Sequence, residues 1–369
     1  MPHYICRKTG NKHDLNEPIW QSPEGRLLDI SHQPDKQFLD DLNATNFGMW
    51  RYKKTIPVKT ENILDFGDGF TPLIPISLYG HNLKVKLDFL FSSGSFKDRG
   101  AAVLISKVKE LGITKVVEDS SGNAGTSISA YCAKAGIDCD IYVSENASPA
   151  KLTQIAMYGA KLKKIPGDRK NVTKAVMEAA QKEFYASHYW HPFFFEGTKT
   201  YAYELWEQMG RKIPGELLFQ IGHGTLLIGA YKGFQELKNN GLIEKIPVMH
   251  AVQPANCAPL FDHFYDKPPS EISETIAEGI NIEDPPRMKQ IKEIIQATNG
   301  SVIKVADDDI QQAMRDAAAQ GIYTEAASAS ALAALKQLPS LKDDGYIVPL
   351  TGNGLKNTEK FREMLKDHS

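Results

Sequence analysis

The sequence predicts an α/β protein with two three-layer domains, whose sheets are mostly parallel and covered by helices on both faces. Between residues 84 and 190, short apolar segments alternate with helical apolar patterns across short loops, and the same alternation returns after residue 197. This order is typical of parallel sheets flanked by helices. The length of 369 residues is enough for two domains of ordinary size.

The composition argues against several classes of partner. The chain is 42% hydrophobic and 24% charged, with a net charge of −2, so no overall field favours nucleic acid or an anionic membrane. We find no apolar run of membrane-spanning length and no apolar secretory segment near the start. The four cysteines are scattered and form no CxxC pair, which favours a reducing cytoplasm over a disulfide framework.

The first 83 residues predict an N-terminal arm together with the start of the large domain. They are rich in polar and turn residues, and we expect short strands at 18–20 and 27–30 and a helix at 36–50. A lid or a dimerisation arm is one interpretation of this segment. A structural wrap around the body is the interpretation we prefer.

Residues 84–190 predict a smaller α/β domain, and residues 191–369 predict a large one. In the first domain we expect strands at 83–91, 115–119, 140–143 and 161–165, and helices at 100–111, 126–135, from 148 onward, and at 171–184. In the second domain we expect helices at 198–209, 227–237, 306–319 and 326–338, and strands at 216–221, 247–252 and 346–350.

One lysine, Lys97, lies in the segment S-G-S-F-K-D-R-G (93–100), in a Gly/Ser turn directly before a predicted helix. The turn holds the lysine rigidly, and the helix N-terminus disfavours a second positive charge. Both features suit the amine of a Schiff base. The segment alone fits an inert, solvated lysine equally well.

Three further junctions follow predicted strands, where ligands bind in parallel sheets. The loop 120–125 offers two hydroxyls, the Asn123 amide and backbone N–H groups, which suit a carboxylate or, through Asn123, a phenolate oxygen. The glycine loop 222–226 suits a phosphate, and the hydroxyl of Thr351 could meet a ring nitrogen. Each junction by itself is also explained by ordinary capping and turn residues.

Taken in order, the segments resemble the β-family (fold type II) of pyridoxal-phosphate enzymes, and within it the threonine synthases. The segments that carry the resemblance are S-G-S-F-K-D-R-G (93–100), S-S-G-N-A-G-T-S (120–127), G-H-G-T-L (222–226), E-A-A-S-A-S-A-L-A-A-L (325–335) and T-G-N-G-L-K (351–356). T-G-N-G-L-K is similar to the threonine synthase segment T-G-H-G-L-K. The phosphate loop also lacks the all-glycine run that is typical of dehydratases and cysteine synthases.

The resemblance implies pyridoxal 5'-phosphate as cofactor, a Schiff base at Lys97, and a bond from Asn123 to the ring hydroxyl oxygen. It implies that the cofactor phosphate binds Gly222, His223, Gly224, Thr225 and Leu226, and that Thr351 meets the pyridine nitrogen. It implies that the substrate carboxylate binds Ser120, Ser121, Gly122, Asn123 and Ala124. Candidate ligands of a substrate phosphate are Ser93, Lys151 and Arg287.

The implied activity is conversion of O-phospho-L-homoserine and water to L-threonine and phosphate by a homodimer. Two departures leave other activities open: Phe91-Ser92-Ser93 replaces the usual Asn-Pro-Thr/Ser, and residues 277–287 (A-E-G-I-N-I-E-D-P-P-R) replace a run like A-I-R-I-G-N-P. The alternatives are a cysteate or cysteine synthase, an ammonia-lyase acting on serine, threonine or diaminopropionate, and a non-catalytic cofactor-binding protein.

A structural zinc ion is not expected. Where relatives can carry two C-x2-C pairs near the N-terminus, this chain has Cys6-x2-Thr9 and Ser22-x2-Gly25. A single thiol does not hold a structural zinc.

Overall fold

The computed structural model describes residues 1–42, 47–147, 149–213, 215–341, 345–358 and 361–362. Its strands are β1 His3–Cys6, β2 Lys12–His13, β3 Leu28–Ser31, β4 Leu73–Leu78, β5 His81–Lys86, β6 Lys115–Glu118, β7 Asp138–Ser144, β8 Lys161–Ile165, β9 Phe184–Tyr185, β10 Glu216–Gln220, β11 Met249–Pro254, β12 Val302–Val305 and β13 Tyr346–Pro349. Its α-helices are α1 Lys97–Glu110, α2 Asn123–Ala135, α3 Pro149–Met157, α4 Arg169–Ala179, α5 Pro192–Thr198, α6 Thr200–Gln208, α7 Thr225–Asn239, α8 Pro259–Phe264, α9 Met288–Ala297, α10 Asp307–Ala318 and α11 Ala326–Ala333.

The chain forms two compact units, each assembled from separate stretches of sequence. Unit 1 comprises 1–70, 97–204 and 232–242, and unit 2 comprises 71–96, 205–231 and 243–369. The predicted borders at 83/84 and 190/191 differ from these limits. The β4–β5 hairpin belongs to unit 2 because β5 pairs with β13, and α5 belongs to unit 1 because it packs against α1.

Unit 1 contains a four-stranded parallel sheet in the order β8-β7-β6-β9 and a three-stranded antiparallel sheet in the order β2-β1-β3. In β6 the three residues after Lys115 are buried, whereas β8 has the sequence KLKKI and is largely exposed. Lysines on an edge strand discourage pairing with another chain.

Unit 2 contains a six-stranded sheet in the order β12-β11-β10-β13-β5-β4, parallel except for the β4–β5 pair. Every residue of β11 and β13 is buried, as expected of parallel strands covered on both faces. The prediction of an α/β fold with mostly parallel sheets is confirmed.

Helix boundaries follow local chemistry. Gly136, in the left-handed conformation at φ +68°, caps α2, where any other residue would be strained. The Asp168 side chain accepts hydrogen bonds from the Lys170 and Asn171 backbone N–H groups at the start of α4. Pro192 begins α5, at a first-turn position that proline tolerates.

Several predicted elements are wrong. The segment 18–20 is not a strand: Trp20 is buried instead by edge-on packing of its ring against Tyr185 and Trp190. In place of a helix at 36–50 there are 3-10 helices at Lys36–Asp41 and Met49–Thr55, and 43–46 lie outside the described residues. The strand predicted at 83–91 ends at Lys86.

The helix expected at 171–184 is α4, which ends at Ala179, and the short strand β9 follows it. The helix expected at 198–209 is two helices, α5 and α6, with Lys199 between them. Lys199 is fully buried and its Nζ contacts the carboxylates of Glu196 and Glu236 at 2.6 and 3.1 Å. This ion cluster lies at the junction of the two helices.

Within the described part of the chain, no helix is both long and apolar enough to cross a membrane. No group of three or more His, Cys, Asp or Glu side chains among the same residues could hold a metal ion. Cys6, Cys132, Cys139 and Cys257 are buried free thiols.

Candidate active site

Lys97 is the first residue of α1, where the chain passes from unit 2 into unit 1. It is partly exposed, and its Nζ lies 5.8 Å from the centre of the Phe194 ring on α5. Glycines allow α1 and α5 to pack closely. A Cβ on Gly100 would overlap the Phe194 ring, and a Cβ on Gly197 would overlap the carbonyl oxygen of Arg99.

The two residues after Lys97 anchor the first turn of α1. Arg99 is fully buried and forms a two-pronged ion pair with Glu204, with N–O distances of 2.6 and 2.8 Å. Asp98 accepts a hydrogen bond from the Ser127 hydroxyl on α2 at 2.5 Å. The first turn of α1 is therefore joined to the second turn of α2.

The loop 120–125 connects β6 to α2. Gly122 is the N-cap residue of α2, and Asn123 is the first helical residue. A Cβ on Gly125 would overlap the Ser120 carbonyl oxygen, so the loop folds back tightly on its own helix. Ser120, Ser121 and Asn123 are partly exposed and Gly122 is exposed, which leaves backbone N–H groups at a helix N-terminus within reach of an anion.

The glycine loop 222–226 connects β10 to α7 in unit 2. Gly224 has a φ of +70°, and a Cβ there would overlap the Ile291 side chain of α9. A Cβ on Gly222 would lie 3.1 Å from the Cα of Ile280. Glycine at these two positions lets the loop pack closely against Ile280 and Ile291. A glycine loop at a helix start is also the kind of backbone that binds phosphate.

The hydroxyl of Thr351, which is 3% exposed, lies in a hydrogen-bond network that fixes the direction of its proton. Nε2 of Gln220 reaches the Pro349 carbonyl at 3.1 Å and Thr351 Oγ1 at 2.6 Å. A carbonyl only accepts, so the amide nitrogen of Gln220 must face it and also donate to Thr351.

Ser328 occupies the second acceptor position of Thr351. Its Oγ accepts the backbone N–H groups of Thr351 and Gly352 at 2.9 and 3.2 Å and lies 3.0 Å from Thr351 Oγ1. Because both lone pairs of Ser328 are used, its own proton goes to Thr351. Thr351 is then left as a donor, and its hydroxyl donates to Glu325 Oε1 at 3.4 Å.

The residues just before Lys97 are bonded to the same segment of unit 2. The Phe96 N–H donates to the Thr351 carbonyl at 2.9 Å, and the Asn353 N–H donates to the Gly94 carbonyl at 3.0 Å. Ser93, in the same turn, is 1% exposed. The structure therefore brings together the turn before Lys97, Thr351 and, through Gln220, the strand that leads into the glycine loop.

Two further predicted ligands, Arg287 and Lys151, lie in the second and first units, respectively. Arg287 directly precedes α9, is 1% exposed and donates to Gln290 at 2.9 Å. Its helix is the one whose Ile291 lies against Gly224. Lys151 belongs to α3, and its side chain lies outside the described residues.

Sequence reasoning missed three residues of the Thr351 network, namely Gln220, Ser328 and Glu325. Gln220 was detectable as the polar residue that ends an apolar strand directly before the glycine loop. Ser328 and Glu325 belong to the segment E-A-A-S-A, which stood out only as a sequence similarity.

These residues fit a phosphorylated pyridine aldehyde such as pyridoxal phosphate. Lys97 supplies a primary amine and the loop 222–226 supplies glycine backbone for a phosphate. The Thr351 hydroxyl, which donates to Glu325 over a long 3.4 Å contact, is a donor that suits an unprotonated ring nitrogen. Groups of this chemistry on a parallel α/β fold are those of the class of cofactor-dependent enzymes.

The chain belongs to the family of pyridoxal-phosphate dependent enzymes, which it matches over residues 64–352. It is 32% identical to the threonine synthase of Methanocaldococcus jannaschii, over 96% of this chain and 93% of that protein. It is 29% identical to the threonine synthase of Methanosarcina acetivorans, over 100% of this chain and 95% of that protein.

A solved pyridoxal 5'-phosphate-dependent aspartate racemase superposes with a TM-score of 0.67 at 23% identity, over 83% of this chain and 98% of that chain. At this identity the similarity concerns the fold alone. The predicted fold type II architecture and the predicted pyridoxal phosphate cofactor are confirmed.

Proposed function

We propose that this chain is a threonine synthase, which converts O-phospho-L-homoserine and water to L-threonine and phosphate. The observation that carries the proposal is the similarity to threonine synthases over nearly the whole of both chains. It is supported by a site whose residues suit the cofactor of the family.

Each proposed cofactor ligand has one role. Lys97 supplies the amine, and Asn123 supplies an amide for the ring hydroxyl oxygen. Backbone N–H groups of the loop 222–226 bind the phosphate, and the Thr351 hydroxyl donates to the ring nitrogen. A neutral hydroxyl does not stabilise a pyridinium as an aspartate would, which favours elimination and replacement over transamination.

Bound pyridoxal phosphate supplies an electron sink for charge that develops on the substrate. The chain supplies the proton transfers and the positioning. Lys97 Nζ removes the proton from the substrate α-carbon and shuttles a proton at the β-carbon. The loop 120–124 holds the substrate carboxylate, which fixes the α-carbon relative to the amine. Phosphate leaves from the γ-carbon and water adds at the β-carbon, so the atoms of the two substrates appear in threonine and phosphate.

The substrate phosphate needs cationic or hydroxyl ligands, and Arg287, Ser93 and Lys151 remain our candidates. Arg287 is the residue we favour because it is buried beside the helix that packs on Gly224.

We also propose that the protein works in the cytoplasm as a homodimer. The four scattered cysteines, which form no CxxC pair, support the compartment. The resemblance to the family is the support for the dimer.

The test is production of threonine and phosphate from O-phospho-L-homoserine by purified protein with added pyridoxal phosphate. Equal amounts of both products are expected, and Lys97→Ala should abolish turnover and the visible absorbance of the bound cofactor. Turnover retained in Lys97→Ala would refute the assignment of this lysine. Cofactor binding without threonine formation, together with keto-acid release from serine, would instead favour an ammonia-lyase.

A further inference from the structure

The carboxylate of Asp119 lies directly before the loop 120–125 and is fully buried. It accepts hydrogen bonds from the Tyr185 hydroxyl at 2.7 Å, the Tyr189 hydroxyl at 3.3 Å and the Arg169 guanidinium at 2.8 Å. Three donors on one buried carboxylate fix its position.

Arg169 also donates to the backbone carbonyl of Asp119. It is the first residue of α4, far from the loop in sequence and outside every segment that carries the family resemblance. Its side chain is 49% exposed, whereas that of Asp119 is 0% exposed. Arg169 is therefore about half exposed, and its guanidinium holds both the main chain and the side chain of the residue that leads into the loop.

The contact between Arg169 and Asp119 matters because Asp119 carries the same negative charge as the proposed ligand of the loop. Under the proposed function the loop 120–124 receives a substrate carboxylate, and a buried negative charge immediately before it would repel that group. The adjacent Glu118 is also buried, and His188 Nδ1 lies 2.7 Å from its carboxylate. Arg169 is the cation that lies against Asp119 itself.

We propose that Arg169 is a positioning residue for substrate binding. By holding Asp119 and cancelling its charge, it keeps the hydroxyls and N–H groups of the loop available to the carboxylate of an amino-acid substrate. Tyr185 and Tyr189 complete the support from β9 and the segment after it. This proposal rests on the proposed function, because that function gives the loop its ligand.

The test compares Arg169→Met, Arg169→Lys and the double variant Asp119→Asn/Arg169→Met with the wild type, all loaded with cofactor. In Arg169→Met we expect KM for O-phospho-L-homoserine to rise about tenfold, which corresponds to about 1.4 kcal/mol, while kcat changes less than threefold. Arg169→Lys should recover part of the loss. The double variant should recover most of it, because it also removes the charge that Arg169 cancels. Cofactor affinity, read from visible absorbance, should change less than KM, because Asn123 is the one cofactor ligand that we assign to this loop.

A purely structural role predicts a different pattern, in which the double variant is at least as impaired as Arg169→Met. That result, or an unchanged KM in Arg169→Met, would overturn the proposal. Binding of L-serine and of 2-aminoethanol, which lacks the carboxylate, is measured in parallel by the change in cofactor absorbance. If the wild type does not turn over O-phospho-L-homoserine but Arg169→Met weakens binding of L-serine alone, the proposed function fails and the role of Arg169 stands.

Discussion

The buried pair Arg99–Glu204 gives a sharp test of how the turn at Lys97 is stabilised. In Glu204→Gln the side chain keeps its size, but the Arg99 guanidinium loses its counter-charge. Both side chains are 0% exposed. The other contacts of Arg99 with α6, the Thr200 hydroxyl at 3.0 Å and the Tyr201 ring at 5.8 Å, carry no negative charge. Removing one partner of a buried ion pair typically costs about 3–5 kcal/mol, because the other charge stays buried without compensation.

The expected loss can be converted to a melting temperature. An unfolding entropy of about 2.1 cal/mol/K per residue over 369 residues gives about 1.3 °C per kcal/mol, so Glu204→Gln should melt about 4–6 °C lower. Calorimetry of the cofactor-loaded protein measures this shift. The matched control is Asp309→Asn, which breaks the exposed pair Lys336–Asp309 and should cost less than about 1 kcal/mol.

A second variant separates the charge from the packing. Arg99→Met/Glu204→Leu replaces both ions with apolar side chains and should be less destabilised than Glu204→Gln, because it leaves no isolated charge. A melting temperature of Glu204→Gln within 1 °C of the wild type would refute the reasoning, as would a double variant that is less stable than the single one.

Two further predictions concern unit 1. Gly197→Ala should destabilise the protein by about 3 kcal/mol, because the new Cβ would overlap the Arg99 carbonyl oxygen and lie 2.6 Å from its carbon. Gly210→Ala, at a φ of +68° in open space, should cost about 1 kcal/mol, and equal urea midpoints for the two variants would contradict the packing argument. Burial, reinforced by the charge of Lys199, lowers the pKa of His32 to about 4. The unfolded chain, with a histidine pKa of about 6.5, then binds more protons between these values, and stability falls as the pH drops from 6.5 to 4. Allowing for solvent screening, we expect His32→Gln to lose about 1–2 kcal/mol less than the wild type between pH 7 and pH 4.5. The free energy of unfolding is measured with urea at both pH values. An equal loss between pH 7 and pH 4.5 in His32→Gln and in the wild type would refute this assignment.

The strands and helices next to the predicted ligands could be predicted because each is specified by residues close together in the sequence. The buried run of β6, the glycine that caps α2 at Gly136 and the glycine loop 222–226 each depend on a few neighbouring residues. The order of the five segments was enough to predict the cofactor and the fold type. The N-terminal arm was predicted poorly because its burial comes from distant aromatic rings, such as those that enclose Trp20.

The sequence by itself determined which groups are available: one lysine at a helix start, a hydroxyl and amide loop, a glycine loop and a threonine at a strand end. Only the tertiary structure decided how those groups are oriented. Thr351 becomes a donor because Gln220 and Ser328, far apart in sequence, fill both of its acceptor positions. Asp119, directly before the loop 120–125, is paired with Arg169, which lies fifty residues later in the sequence. Hydrogen bonds and ion pairs depend on distances of a few ångströms, and such distances between remote residues are set by the packing of whole elements rather than by any local pattern.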